Sequence, residues 1–218
     1  MHKLLVVLLL FSVTAFAAYS RNWGRDLKLP SQHLLERTTV TDAVATNTTY
    51  VLSANAGDTT GAGATVTAAS ITDPDVPRVL TVTPGGTTAD VAAGNVVITG
   101  TNCKGETVTD TLAFEANASS ATTGVVAFKT ITSIAFPAED ADYDATWSVG
   151  ITDKLGICKC LADAGDVAWA SADGTYEGTR PTCTADVDEV EKNVCDPNTA
   201  CDGSKDFKFY FIQNFRDL

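Results

Sequence analysis

The sequence predicts an all-β fold, a β-sandwich of Ig-like or jelly-roll shape, on three observations. Thirty-two of its 218 residues are threonine against a single methionine, and so many β-branched side chains favour pleated over helical backbone. Short apolar runs recur at spacings of roughly 8–15 residues, punctuated by Gly, Pro and Asp, which is the rhythm of a sandwich or barrel. No segment sustains an apolar period near 3.6 residues. With 44% hydrophobic and 19% charged residues, the chain can bury a sizeable core and lacks the composition of a disordered protein. Its length suits one domain with a small appendage.

Residues 1–17 (MHKLLVVLLLFSVTAFA) carry Lys3, an apolar run and then Ala15-Phe16-Ala17, the pattern of a secretory signal cleaved before Ala18. The run is too short for a comfortable bilayer span, and no membrane segment is expected in the mature form. The alternative is an apolar segment retained and buried in an assembly. Residues 18–48 read as an N-terminal arm. Residues 1–38 carry a net +3, which leaves −15 for the rest of a chain whose total is −12. The arm either packs on its own domain as a solvated loop or docks on a neighbouring subunit. In the second case Trp23, Leu27, Leu29 and Leu34 fill pockets while Arg21 and Arg25 meet acidic surface.

Residues 49–157 read as the sandwich core. Strands are expected over 50–53, 64–68, 78–83, 95–99, 106–114, 125–136 and 146–149. The segment from Asn95 to Phe114 is a hairpin turning on Asn102-Cys103-Lys104-Gly105. In its second strand Val108, Leu112 and Phe114 share one face, with Thr107, Thr109 and Thr111 on the other, the period of a sheet buried on one side. Asp110 interrupts the apolar face, so that end of the strand is expected to open to water. Residues 158–218 form a cysteine-rich acidic section. It closes on DFKFYFIQNF (206–215), a strand apolar on both faces, expected to be buried in its own sheet or against a partner chain.

Six cysteines behind a signal peptide suggest three disulfides drawn from Cys103, Cys158, Cys160, Cys183, Cys195 and Cys201, with 15 possible pairings. Cys158 and Cys160, two apart on an expected strand, face one side and bond elsewhere rather than to each other. Cys103 sits in a hairpin turn, so its partner comes from the C-terminal cluster or another chain. Free buried thiols are one alternative. A zinc site is another, but the spacings lack a paired C-x2-C and no histidine helps.

Glu139, Asp140, Asp142 and Asp144 form a dense carboxylate run. An EF-hand reading fails, because Ala145 stands where the loop needs Gly and Ile151 where it needs a bidentate Glu. What remains is a solvated acidic loop, or a loose calcium site on Asp140, Asp142 and Asp144; Asp196, Asn198 and Asp202 are a weaker cluster of the same kind. No cofactor is expected. Catalysis finds little support: His2 and His33 are the only histidines, and no Gly-x-Ser-x-Gly elbow, HExxH or phosphate-binding glycine loop occurs. Asn47-Thr48-Thr49 and Asn117-Ala118-Ser119 match the N-glycosylation pattern. The acidic balance opposes a phosphate backbone, so nucleic acid is not an expected partner.

The phrases ITDPDVPRVLTVTPGG (71–86), GNVVITGTNCKGETVTDTLAF (94–114), AFKTITSIAFPA (127–138) and WSVGITDKLGI (147–157) resemble a recurring block in virion structural proteins of tailed bacteriophages. EVEKNVCDPNTACDGSKDFKFYFI (189–212) resembles the closing strands of the same proteins. The resemblance implies a β-sandwich on a particle surface, a capsid decoration protein, head fibre or tail-associated component, and carries no site residues with it. A secretion signal and cysteines at positions such as 103 and 195 depart from that family.

The leading expectation is therefore a non-enzymatic virion structural protein, a homo-oligomer meeting other virion or surface-layer subunits, with avidity from a repeating lattice. The alternative is a secreted cell-surface or filament subunit, joined through its arm or its Phe-rich last strand by strand addition. A third reading, a carbohydrate-binding module, would use Trp23, Trp147 or Trp169 as sugar platforms.

Overall fold

Asn95 to Phe114 form the expected hairpin. Strands β5 (Gly94–Thr101) and β6 (Thr107–Phe114) pair antiparallel without a break, from Gly94 opposite Phe114 to Thr101 opposite Thr107. The turn is held by Asn102, whose Oδ1 accepts from the Lys104 and Glu106 amides at 2.9 and 3.0 Å. Along β6 the threonines at 107, 109 and 111 are exposed, while Asp110, Leu112 and Phe114 are buried, so the period of two is real and Asp110 belongs to the inner face.

The computed structural model describes residues 33–56, 63–139 and 144–214, all-β in class. Leu35–Ile212 gather into one unit; a second unit, Met1–Leu34 with Gln213–Leu218, lies almost wholly outside the described residues. In the first sheet, β8 (Thr130–Ala135) lies beside β5, and β3 (Thr65–Thr67) beside β8, giving the order β3-β8-β5-β6. In the second, β9 (Ala145–Gly156) runs antiparallel to β4 (Arg78–Gly86), and β7 (Thr122–Phe128) flanks β4. Beyond β9 follow β13 (Val194–Asp196) and β12 (Thr182–Thr184), while β2 (Asn47–Ala56) also pairs with β9.

The two sheets share one core. Leu80, Val82, Val149 and Ile151 of the second sheet meet Val96, Ile98, Leu112, Phe114, Ile131 and Ile134 of the first. Trp147, fully buried, lies edge-on to Phe114 at 5.1 Å and stacks on Phe136 at 5.7 Å. Such aromatic pairs contribute about 0.5–1.5 kcal/mol each beyond the area they bury.

A third sheet, ordered β1-β14-β10-β11, consists of β1 (His33–Val40), β14 (Phe207–Asn214), β10 (Val167–Ala172) and β11 (Thr175–Tyr176). Phe207, Phe209 and Phe211 point from β14 into a second core with Leu155, Ile157, Leu161, Val167 and Ala170. On the opposite face Lys208 and Tyr210 are half-buried, and Tyr210 stacks on Trp169 at 5.1 Å. The closing strand is thus buried within its own chain and strongly apolar on one face only. Its place between β1 and β10 leaves it no free edge for strand addition.

Four expectations need correction. Residues 33–40, read as part of the arm, form β1, because the partner that orders them is β14, far away in sequence. The run 125–136, read as one strand, is two: β7 belongs to the second sheet and β8 to the first, and the chain changes sheet at Lys129, whose amide donates to Thr101 O at 2.7 Å. The switch is tight enough that a Cβ on Gly100 would lie 2.1 Å from Thr130 O. Cys158 and Cys160 share no strand, since β9 ends at Gly156 and Cys158 turns through the left-handed region at φ 60°. The strand end at Asp110 is closed to water, for the reason that follows.

Candidate functional site

Asp110 projects from β6 into the gap beside β7. Its Oδ2 accepts from the Val125 and Val126 amides at 2.9 and 3.3 Å, and its Oδ1 from the Thr111 amide at 3.0 Å. A carboxylate at the rim of the apolar face therefore replaces the strand that β7 lacks on that side and fastens one sheet to the other. Gly124 makes room for it, as a Cβ there would lie 2.0 Å from Asp110 Oδ2.

Other buried polar side chains are used in the same way. Asn193, with no exposed surface, fills its whole hydrogen-bonding capacity: Oδ1 accepts from the Leu161 and Asp186 amides at 3.0 and 2.9 Å, and Nδ2 donates to Asp186 O and Glu189 O at 2.8 and 2.9 Å. One asparagine thereby organises much of the cysteine-rich section. Arg78, equally buried, donates to Val44 O at 2.6 Å and Thr152 O at 3.0 Å and pairs with Asp75 at 3.0 Å. Thr152 belongs to the bulge where β9 carries extra residues opposite Val79, and its Oγ1 donates to Val79 O at 2.9 Å. Buried Asp90 accepts through Oδ2 from the Asp144 amide at 3.2 Å, and the exposed Asp73 through Oδ1 from the Ile131 amide at 2.7 Å.

Among the cysteines, Cys183 and Cys195 form a disulfide between directly opposed residues of β12 and β13. Buried Cys201 lies near Arg78, Asp75 and Asp153. Burial pushes its thiol up to about 12, reinforced by Asp153 and Asp75 against the opposing pull of Arg78. It therefore stays protonated at neutral pH and lacks the thiolate that cysteine chemistry requires. Cys158 is exposed, Cys103 and Cys160 are half-buried, and the thiols of Cys103 and Cys158 hydrogen-bond to each other.

The proposed arm residues Arg21, Trp23, Arg25, Leu27 and Leu29 lie outside the described residues, as do Asp140 and Asp142. The third calcium candidate, Asp144, meets its neighbours through its backbone, its carbonyl accepting from the Thr87 amide. In the weaker cluster Asp196 is half-buried near Asp153 and Glu177. Asn198 is held by Glu177 and Thr179 O, and Asp202 binds Ser204 and Lys205 in its own turn. Among the described residues no three His, Cys, Asp or Glu side chains are grouped to hold a metal ion. Trp147 is closed off in the core and Trp169 is half-buried against Tyr210, so the first cannot serve as a sugar platform and the second offers only part of its ring.

Compared with known proteins, the chain matches no family model, no curated protein and no solved structure.

Sequence reasoning missed Arg78, Asn193 and the role of Asp110. A signal existed for the first: Asp75-Val76-Pro77-Arg78 sets an acid three residues before an arginine that opens an apolar strand. Asp110 also left a trace, as the sole charge on an alternating apolar face. Asn193 left none, because its partners are loop amides that only the folded chain assembles.

Proposed function

We propose that this chain is a non-enzymatic structural subunit of a virus particle, a capsid decoration or fibre component that assembles as a homo-oligomer among other virion subunits. The supporting observation is how its buried polar groups are used. Asp110, Asn193, Asp90 and Arg78 all spend hydrogen bonds on strand edges and loops, which rigidifies the fold. A building block needs that rigidity, since subunits held by many weak contacts gain avidity only when their geometry is fixed. The segments that resemble phage virion proteins take in β4, β5, β6, β8 and β9, which contribute to the first core, together with β13 and β14. An acidic exterior also keeps crowded copies soluble.

A second reading, a secreted surface or filament subunit, is favoured by the Cys183–Cys195 disulfide, which belongs to an oxidising compartment, together with the apolar N-terminal pattern. Density-gradient sedimentation of native material separates the two. Co-migration with intact particles, accompanied by antibody labelling of their surface, is the expected result. Confinement to the particle-free medium or to cell-wall filaments would overturn the first reading in favour of the second.

A further inference from the structure

Cys103 stands at the tip of the β5–β6 hairpin, in the first sheet, and Cys158 lies just beyond the end of β9, in the second. Several contacts bring these places together. Asn102 donates through Nδ2 to Glu191 Oε2 at 3.1 Å, while the Ile157 amide donates to Asn193 O at 2.9 Å. The residues immediately before the two cysteines are therefore both tied to the turn around residues 189–193. Lys129, where the chain changes sheet, bonds Thr101 O through its amide, and its ammonium is close enough to Cys158 to favour the thiolate. The left-handed backbone of Cys158, φ 60°, is uncommon for a side chain other than Gly, Asn or Asp. It accompanies the thiol–thiol hydrogen bond with Cys103.

We propose that Cys103 and Cys158 are the site of a second disulfide, one that closes an end of the sandwich by linking the hairpin of the first sheet to the end of β9 in the second. The oxidant is a small-molecule or protein disulfide of the glutathione class, RSSR. One cysteine thiolate attacks a sulfur of RSSR and expels RS⁻, giving a mixed disulfide. The other cysteine, as thiolate, attacks the protein sulfur of that mixed disulfide and expels a second RS⁻. The two protons released by the cysteines end on the two RS⁻ groups, so two protein thiols are oxidised and one RSSR is reduced to two RSH. Partial burial of the sulfur and the adjacent Cys103 thiol push Cys158 up to about 12. Its thiolate is scarce at neutral pH, so oxidation of the folded protein quickens with rising pH.

Tryptic cleavage suits the test, because Lys154 and Lys159 isolate Cys158 from Cys160, and Arg78 and Lys104 bracket Cys103. The full chain, reduced, refolded in glutathione buffer and alkylated at acidic pH to prevent exchange, is digested without reductant and analysed by mass spectrometry. The expected species is residues 79–104 joined to residues 155–159, disappearing when reductant is added. Recovery of either peptide alkylated at its cysteine, or joined to a peptide bearing Cys160, Cys183, Cys195 or Cys201, would overturn the assignment. A second measurement does not depend on digestion: reductant should lower the melting temperature of the parent more than that of the Cys103→Ser/Cys158→Ser variant. Equal drops would count against the bond.

Discussion

Replacing Asp110 by alanine would leave the Val125 and Val126 amides without their acceptor, and the Val126 bond is buried. An orphaned buried donor costs about 1–3 kcal/mol, so the urea midpoint of Asp110→Ala should fall by that order, and Asp110→Asn, which keeps an acceptor oxygen, should lose less. Asp196 makes an opposite case. Partial burial and the nearby Asp153 and Glu177 raise its carboxyl above the ordinary range against the pull of Lys154. A group whose folded pKa is raised favours the fold fully below its unfolded value and loses that contribution as pH rises through the folded one. Asp196→Asn should therefore melt higher than the parent at pH 7, with the advantage vanishing near pH 3, as thermal scans at both values would register. Asp202 has the reverse sign. Lys205 and the hydrogen bonds from Ser204 hold it down to about 2, so its contribution is present at neutral pH and is lost as pH falls from the ordinary aspartate value through about 2.

At the scale of the element, the Cys183–Cys195 bridge binds the short strands β12 and β13, each only three residues long. With its cysteines 12 positions apart in sequence, the bridge is worth about 2–4 kcal/mol, which the Cys183→Ser/Cys195→Ser variant should lose in denaturation without reductant. Sequence raised disulfides as an expectation but could not pair the cysteines, since the pairing follows from the register of β12 against β13. The hairpin of β5 and β6 was legible because a period of two and a glycine-bearing turn are local signals. Strand β1 was not, because HLLERTTV has no clear alternation and is ordered by a strand that begins at Phe207. The break at Lys129 was hidden too, because both flanks are equally rich in β-branched residues and the sheet change occupies a single position. The acids of the 139–144 run announced charge without convergence, and charge alone does not specify a ligand.

Across the whole molecule, strands of the expected sandwich core and of the cysteine-rich section share a sheet: β13 pairs with β9, and Leu155 of β9 reaches the second core. Trp147 reports the first core and Trp169 the third sheet. In a Trp23→Phe background, Trp147→Phe and Trp169→Phe should unfold with coincident fluorescence and circular-dichroism midpoints once each is compared with its own dichroism trace, as one cooperative unit requires. Separated transitions would show that the two cores melt independently. The position of β14 between β1 and β10 also governs timing during biosynthesis. At translation speeds of about 5–20 residues per second, the ribosome exposes β1 and β10 for seconds before the strand that unites them emerges. During that interval β1 and β10 present unpaired backbone on the sides that β14 later covers.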